Sequence, residues 1–386
     1  MIPETSVSRT GQPLRALVLT GGGARGAYQV GVLKAIAELL PEDAPLPFRI
    51  VCGTSAGAII GSILAANAVR FRDGLAILEG FWSHLRVDRV WRNDPLAVVG
   101  AVLRWLAAFC TGGSLVHSPH SLFDNGPLRG TLESHVNFAR VLQALGQGDI
   151  EALAVTAASY QGGGSRTYYM VSGGDPSRRS SWVGGVPIDL LTIDHLMASA
   201  AVPFLFPPVH LADGYFGDGA IHQVEPLAPA IHLGADRILV VGVQAAPNVE
   251  SVSSDAARIE PSFGQIFGFM LHSLFLSTLR RDMERLEREN RLIRAAGQGA
   301  GSSRPVYAML IEPSVDPSVV AARHAPNMPF SVRLLMRTLG AANRGGRLLL
   351  SYLIFDRAYA RDLIALGYAD AMRQREALQS FLSNEE

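Results

Sequence analysis

The stretch FRIVCGTSAGAIIGSILAANAV, residues 48–69, joins a predicted strand to a predicted helix. Residues 48–53 are mostly apolar and partly β-branched, which is typical of a buried strand. Residues 56–69 are apolar almost all round, which indicates a helix at the centre of the molecule. A strand that turns directly into a central helix favours an α/β fold.

The turn between these two elements contains Gly53-Thr54-Ser55-Ala56-Gly57, which fits the pattern G-x-S-x-G. Such a turn forces its corner residue into a strained conformation, and the two glycines let neighbouring chains pass closely. The Ser55 hydroxyl would then lie at a helix N-terminus, where free N–H groups favour developing negative charge. The pattern therefore predicts that Ser55 is a nucleophile. The alternative is a structural tight turn that contains an ordinary serine.

Outward from this turn, strands and helices alternate along the chain. Residues 14–20 (LRALVLT) are an apolar run that ends in glycines, and Val30, Leu33 and Ala37 follow at helical spacing. This order predicts a three-layer α/β sandwich with a mostly parallel central sheet and a helical C-terminal portion. Further strands are predicted at 152–158, 166–171, 237–243 and 306–311, and helices at 263–294 and beyond Pro329.

The loop Gly21-Gly22-Gly23-Ala24-Arg25-Gly26 follows the first strand and fits the dinucleotide fingerprint G-x-G-x-x-G. That fingerprint also needs an acidic residue at the end of the second strand, where this chain has Cys52-Gly53. The same row of N–H groups would suit a tetrahedral oxyanion beside Ser55. We therefore expect an oxyanion hole and keep dinucleotide binding as an alternative. For Arg25 three roles are open: orienting the loop, attracting a phospholipid head group, or a surface charge.

A serine nucleophile needs a base, and the sequence offers two kinds. Ten histidines allow a Ser-His-Asp triad, but His195, His222 and His324 have no informative local setting. Asp213 is interpreted as a turn residue because a glycine follows it. Asp218 would become a usable base in a dehydrated pocket that raises its pKa. Spacing alone does not decide between Asp218 and a histidine.

Composition excludes some classes of function. The 386 residues include 34 basic and 34 acidic side chains, so no excess of charge favours nucleic acid as a partner. Cys52 and Cys110 provide no disulfide framework, and no cluster has the spacing of metal ligands, so neither a metal nor a cofactor is expected. The first residues lack the apolar centre of a secretory signal, and no window is long enough to cross a membrane. We expect a cytoplasmic protein that can contact a membrane surface peripherally.

Three ordered motifs resemble those of the patatin-like phospholipase family. They are the glycine loop at 21–26, the pentapeptide GTSAG at 53–57, and DGA, formed by Asp218, Gly219 and Ala220. The stretch ASAAVPFLFPPV at 198–209 also resembles the segment that precedes the family's DGA motif.

The resemblance implies a catalytic domain over residues 14–245 and does not cover the rest of the chain. The helical pattern predicts a largely helical extension over 262–386 that packs on this domain or continues it. It implies a Ser55–Asp218 dyad without histidine, with Gly21 to Gly26 as the oxyanion hole. Thr20 stands where many relatives have aspartate, which removes one anchoring contact of the loop.

These observations predict a serine lipid acyl hydrolase of the phospholipase A or lysophospholipase type, acting on a lipid or another acyl ester. An acyltransferase with the same nucleophile, a dinucleotide-binding protein and an inactive lipid-binding scaffold are the alternatives. A long acyl chain needs an apolar groove. Residues 90–110 are expected as its wall or lid, or else as an ordinary buried helix. The sequence makes no prediction of oligomeric state.

Overall fold

A nine-stranded sheet organises the computed structural model, which describes residues 13–92, 94, 100, 121–173, 182–246, 260–296, 304–338, 340 and 346–383. The strands are β1 (Arg15–Leu19), β2 (Ile50–Thr54), β3 (Ala152–Ser159), β4 (Gly164–Val171), β5 (Gly185–Pro187), β6 (Val209–Leu211), β7 (Gly214–Asp218), β8 (Arg237–Val241) and β9 (Tyr307–Ile311). Seven of them lie in the order β5-β4-β3-β2-β1-β8-β9, while β7 pairs with β3 and with β6.

The centre of this sheet is parallel. Strands β3, β2, β1, β8 and β9 pair in parallel with one another, whereas β4 and β7 run antiparallel to β3. The residues of β2 are all buried, which is typical of a parallel strand covered on both faces. This architecture confirms the predicted α/β fold with a mostly parallel sheet.

Each face of the sheet has its own apolar core. Leu17 and Leu19 of β1 belong to the larger core, and Ala16 and Val18 belong to the smaller one. This split follows from the two-residue period of a strand, whose successive side chains point to opposite faces.

The helices are α1 (Ala27–Glu38), α2 (Ala56–Ala66), α3 (Phe71–His84), α4 (Val87–Val90), α5 (Gly126–His135), α6 (Phe138–Gln147), α7 (Ile193–Ser199), α8 (Ala228–His232), α9 (Phe263–Ala296), α10 (Pro317–His324), α11 (Phe330–Thr338), α12 (Arg347–Leu353), α13 (Arg357–Arg373) and α14 (Arg375–Ser383).

Residues after 262 contribute to the sheet and to its helical cover. Strand β9 extends the parallel sheet beyond β8, and α13 packs along α1. The buried Tyr28 hydroxyl of α1 donates to Asp370 Oδ2 of α13 at 3.1 Å. The C-terminal helices therefore cover the same larger core as α1.

The segment before the DGA motif contains two strands that the sequence did not predict. Strands β6 and β7 form an antiparallel hairpin whose turn is Ala212 and Asp213, in agreement with the interpretation of Asp213 as a turn residue. The Asp213 carboxylate accepts a hydrogen bond from the Tyr168 hydroxyl at 2.6 Å and pairs with Arg166 at 2.9 Å. Glycines obscured this strand in the sequence because they are rare in strand interiors.

Some predicted features lie largely outside the described residues. They include most of the expected wall or lid at 90–110, with Cys110, and most of the stretch between residues 245 and 262. Within the described part of the chain, no helix is both long enough and apolar enough to cross a membrane.

Candidate active site

Ser55 lies at the corner between β2 and α2. Its backbone has φ 54° and ψ −123°, a left-handed region that residues other than glycine rarely adopt, and the residue is only 3% exposed. The turn also needs a residue without a side chain at Gly57, because a Cβ there would overlap the Leu19 carbonyl oxygen of β1. The strain at Ser55 is thus held in place by close packing of the neighbouring strand.

A second serine holds this strained backbone. The Ser55 N–H donates to the Ser199 hydroxyl oxygen at 2.8 Å, and the Ser199 hydroxyl donates to the Thr156 carbonyl oxygen at 2.6 Å. Ser199 is fully buried at the end of α7. Sequence reasoning noted the stretch around Ser199 but assigned this residue no role, since a small polar residue among alanines carries no distinctive pattern.

Asp218 is brought to Ser55 by strand register. Thr54, the last residue of β2, pairs with Thr156 of β3, and the next residue of β3, Ala157, pairs with Asp218 of β7. The Asp218 N–H also donates to the Ala201 carbonyl oxygen at 2.8 Å. Two residues that are far apart in the chain therefore meet beside Thr156 and Ala157 of β3.

The Asp218 carboxyl group is almost completely buried, at 1% exposure. Burial raises the pKa of Asp218 to about 7, although hydrogen bonding from the Ser55 hydroxyl and the Ala220 N–H partly opposes this rise. The Oδ1 atom accepts the Ala220 N–H at 3.0 Å. The Oδ2 atom has no hydrogen bond of standard geometry to any described residue. Hydrogen bonds of a candidate base are often long or poorly aligned until substrate binds.

The glycine loop lies between β1 and α1 and ends in a short 3-10 helix, Gly23–Gly26. Gly23 has φ 53°, and a Cβ on this residue would lie 2.5 Å from the Tyr352 carbonyl oxygen, so only glycine fits there. The first N–H groups of a helix have no acceptor inside it. The first N–H groups of this short helix lie beside the cavity that Gly23 and Ser55 both line.

Arg25 is fully buried, which makes its interpretation as a surface charge or a head-group ligand wrong. Its Nε and Nη2 atoms donate to the Ser351 hydroxyl oxygen at 2.9 and 2.5 Å. The guanidinium also lies over the Tyr352 ring, 4.1 Å from the ring centroid. Arg25 therefore connects the glycine loop to α12, and sequence reasoning had no signal for that partner.

A narrow apolar cavity with a free volume of about 50 Å³ lies beside Ser55. Val90 lines it, while the neighbouring Trp91 is buried behind it and stacks on Phe123 with ring centroids 5.1 Å apart. The lining residues are Gly23, Ser55, Ala56, Ile59, Phe81, Trp82, Leu85, Val90, Leu128, Ala200, Val202, Leu205, Phe206, Leu271, Tyr352, Leu353 and Phe355.

None of the described histidines lines this cavity. His195 belongs to a capping box with Thr192 at the start of α7, and His324 pairs with Asp362 at 2.7 Å. Both have structural partners away from Ser55. In the described ranges there is also no group of three or more His, Cys, Asp or Glu side chains arranged to hold a metal ion.

Comparison with known proteins gives one family match. The sequence model described as Patatin-like phospholipase matches residues 17–231. Patatin-like phospholipase domain-containing protein 6 of Mus musculus is 52% identical over 113 residues, which are 28% of this chain and 7% of that protein. Calcium-independent phospholipase A2-gamma of Mus musculus is 24% identical over 225 residues, which are 58% of this chain and 26% of that protein. The chain thus spans about a quarter or less of the length of these relatives.

Among solved structures, human GIVD cytosolic phospholipase A2 in complex with methyl gamma-linolenyl fluorophosphonate is similar with a TM-score of 0.45 and 12% identity. This match covers 98% of the chain and 60% of that structure. VipD from Legionella pneumophila is similar with a TM-score of 0.36 and 15% identity, over 95% of this chain and 67% of that one.

Proposed function

Because the chain belongs to the patatin-like phospholipase family, we propose that it is a serine lipid acyl hydrolase with Ser55 as nucleophile and Asp218 as base. The observation that carries this proposal is the Asp218 carboxyl group, which is 1% exposed and has hydrogen bonding from the Ser55 hydroxyl. A buried proton acceptor beside a strained serine can activate that serine as a nucleophile.

In the first step, Asp218 Oδ2 takes the proton of Ser55 Oγ as this oxygen forms a bond to the ester carbonyl carbon. The carbonyl oxygen becomes an oxyanion, which the N–H groups of Gly22, Gly23 and Ala24 would receive. Removing one donor of this kind raises a barrier by about 3–4 kcal/mol in enzymes that use it. The intermediate then releases the alcohol, which takes the proton from Asp218 and leaves the acyl group on Ser55.

In the second step, Asp218 takes a proton from water as the water oxygen attacks the acyl carbon. The new intermediate breaks its bond to Ser55 Oγ, and Asp218 returns the proton to that oxygen. A fatty acid leaves, and the dyad is restored. The pKa of Asp218, raised by burial to about 7, suits this exchange because a base near neutral pH both accepts and returns protons readily.

The cavity supports an acyl ester as the substrate. Its walls are almost entirely aliphatic and aromatic, with Ser55 and Gly23 at one side. An acyl chain would replace water along these walls, while the polar head group would stay at the mouth. Such a lining has few polar groups for the ribose and base of a dinucleotide, so the hydrolase is the better-supported function.

The test compares release of fatty acid from phosphatidylcholine, lysophosphatidylcholine and triacylglycerol by the wild type and by Ser55→Ala and Asp218→Asn. Both variants should lose turnover, and Ser55→Ala should also lose labelling by a fluorophosphonate probe. Ser62→Ala, a buried serine of α2 without a described partner, is the matched control and should keep both. Loss of turnover in His195→Gln, with Asp218→Asn still active, would contradict the proposed Ser55–Asp218 dyad.

A further inference from the structure

Helix α9 begins with an exposed apolar stripe. Ile266 is 50% exposed, Phe269 63% and Met270 45%. Their spacing of three and four residues puts them on one side of the helix. Phe267 and Leu271, on another side, are buried. This helix therefore packs one apolar face inward and leaves a second one in water.

The exposed stripe lies at the cavity that contains Ser55. Leu271, the residue after Met270, lines that cavity. The Phe204 ring, itself 56% exposed, lies with its centroid 6.3 Å from that of Phe267. Val202 and Leu205, which lie on either side of Phe204 in the sequence, also line the cavity. The exposed side chains thus continue the apolar lining outward to the surface.

Helix α11 also has both buried and exposed apolar residues. Val332 and Met336 are buried, whereas Phe330 is 70% exposed and Leu334 is 50% exposed. The end of this helix meets the start of α9, where the Ser262 hydroxyl donates to the Gly340 carbonyl oxygen at 3.1 Å. We call Phe204, Ile266, Phe269 and Met270 the apolar rim.

Two arginines accompany the apolar residues of α11. Arg333 and Arg337 follow Phe330 at three and seven residues, which is the spacing of one helix face. The Arg333 guanidinium lies 6.0 Å from the Phe330 ring centroid. An exposed helix face that mixes aromatic and aliphatic residues with arginine is typical of helices that lie in the interface of a bilayer.

We propose that the apolar rim docks this protein on the surface of a lipid bilayer that contains anionic head groups. The inference rests on the proposed function, since the occupant is argued from the acyl cavity that opens at the rim. A lipid would pass from the bilayer along apolar contacts to Ser55 without crossing water. The arginines of α11 would add attraction to the negative surface of the leaflet.

The experiment uses the Ser55→Ala protein, so that no product alters the membrane, and measures co-sedimentation with vesicles. The vesicles contain phosphatidylcholine alone or with phosphatidylglycerol. Ile266→Ser/Phe269→Ser should weaken binding to both kinds of vesicle by about tenfold or more, because apolar burial is lost. Arg333→Gln/Arg337→Gln should weaken binding to the anionic vesicles only, by about fivefold per charge.

Leu142→Ser and Leu292→Ser are the matched controls, because both remove an exposed leucine that lies on another part of the surface. They should bind like the parent protein. Equal binding by the Ile266→Ser/Phe269→Ser variant would overturn the proposal, as would absence of vesicle binding in the parent. A dimer in solution that this variant converts to a monomer would also overturn it, in favour of a second copy of the chain.

Vesicle binding does not depend on turnover, so it separates this inference from the proposed function. In proteins that retain Ser55, rim variants should keep their kcat/KM on a short, water-soluble ester and lose activity on vesicles. A protein that hydrolyses the soluble ester but does not bind vesicles would support the proposed function and contradict membrane docking by the apolar rim. A protein that binds vesicles but has no esterase activity would support membrane docking and contradict the proposed function.

Discussion

The buried guanidinium of Arg25 is bound by the hydroxyl oxygen of Ser351, through both Nε at 2.9 Å and Nη2 at 2.5 Å. The Ser351 hydroxyl in turn donates to the Leu348 carbonyl oxygen at 2.6 Å. A residue of the glycine loop is therefore fixed by a helix from the far end of the chain. The position of the proposed oxyanion donors depends on that contact.

Ser351→Ala should slow catalysis without weakening substrate binding. It removes two hydrogen bonds to a buried charge, which typically destabilises a protein by about 1.5–3 kcal/mol per bond. We expect kcat to fall by about tenfold or more, since misplaced oxyanion donors act on the transition state, while KM stays close to the wild-type value. Kinetics on a soluble ester and urea denaturation measure the two effects. Ser62→Ala is the control, and an unchanged kcat in a stably folded Ser351→Ala would contradict this role for Ser351.

The activity should depend on the ionisation of Asp218. Burial raises the pKa of Asp218 to about 7, and only the ionised carboxylate accepts the Ser55 proton. We expect kcat/KM to fall about tenfold per pH unit below that pKa. An ester with no ionisable group near pH 7 gives a clean profile. If kcat/KM instead falls only near the ordinary carboxyl pKa of about 4, then the pKa of Asp218 is not raised in the free enzyme.

Asp218→Asn should stabilise the fold at alkaline pH. The folded-state pKa, about 7, exceeds the ordinary value of 3.8, so ionisation of Asp218 opposes folding. Below about pH 4 the group is neutral in both states, and the cost grows as pH rises to the folded pKa. Since one pKa unit corresponds to about 1.4 kcal/mol, we expect a gain of a few kcal/mol at pH 8 and little at pH 4. Urea denaturation at the two pH values measures it, and an equal gain at both would contradict this origin.

Ser199→Ala should disturb the proposed nucleophile Ser55, although Ser199 itself does not line the cavity. It leaves the Ser55 N–H and the Thr156 carbonyl oxygen without their present partner, which typically costs about 1–3 kcal/mol per buried group. We expect a lower melting temperature and slower labelling of Ser55 by a fluorophosphonate. Ser62→Ala again serves as the control, because its hydroxyl has no described partner. Wild-type labelling kinetics in Ser199→Ala would remove Ser199 from the positioning of Ser55.

Local sequence predicted the features that local geometry creates. The order of strand, turn and helix around Ser55 was visible because apolar periodicity changes within a few residues there. The predicted strand at 48–53 begins two residues too early and ends one residue too early, since the structure has it at Ile50–Thr54, and α2 ends at Ala66 rather than Val69. Boundaries of this kind depend on hydrogen bonds at the ends of elements, which apolar patterns do not specify.

Contacts between distant residues could not be predicted from patterns. Asp218 meets Ser55 through the pairing of β2, β3 and β7, and a strand register of this sort is not written in any one segment. The resemblance to a family supplied this partner. No resemblance supplied Ser199 or Ser351, whose roles rest on single hydroxyl groups among small or apolar neighbours.

Helix α12 lies beyond residue 231, where the family match ends, yet it borders the cavity and holds Arg25. Chains are made from the N-terminus, and the ribosome therefore completes Ser55 and Asp218 well before Ser351. A nascent chain would carry the proposed catalytic residues without the helix that positions the loop. We expect chains stalled on the ribosome at residue 340 to resist fluorophosphonate labelling, so that synthesis itself would delay the proposed lipid hydrolysis until α12 has been made.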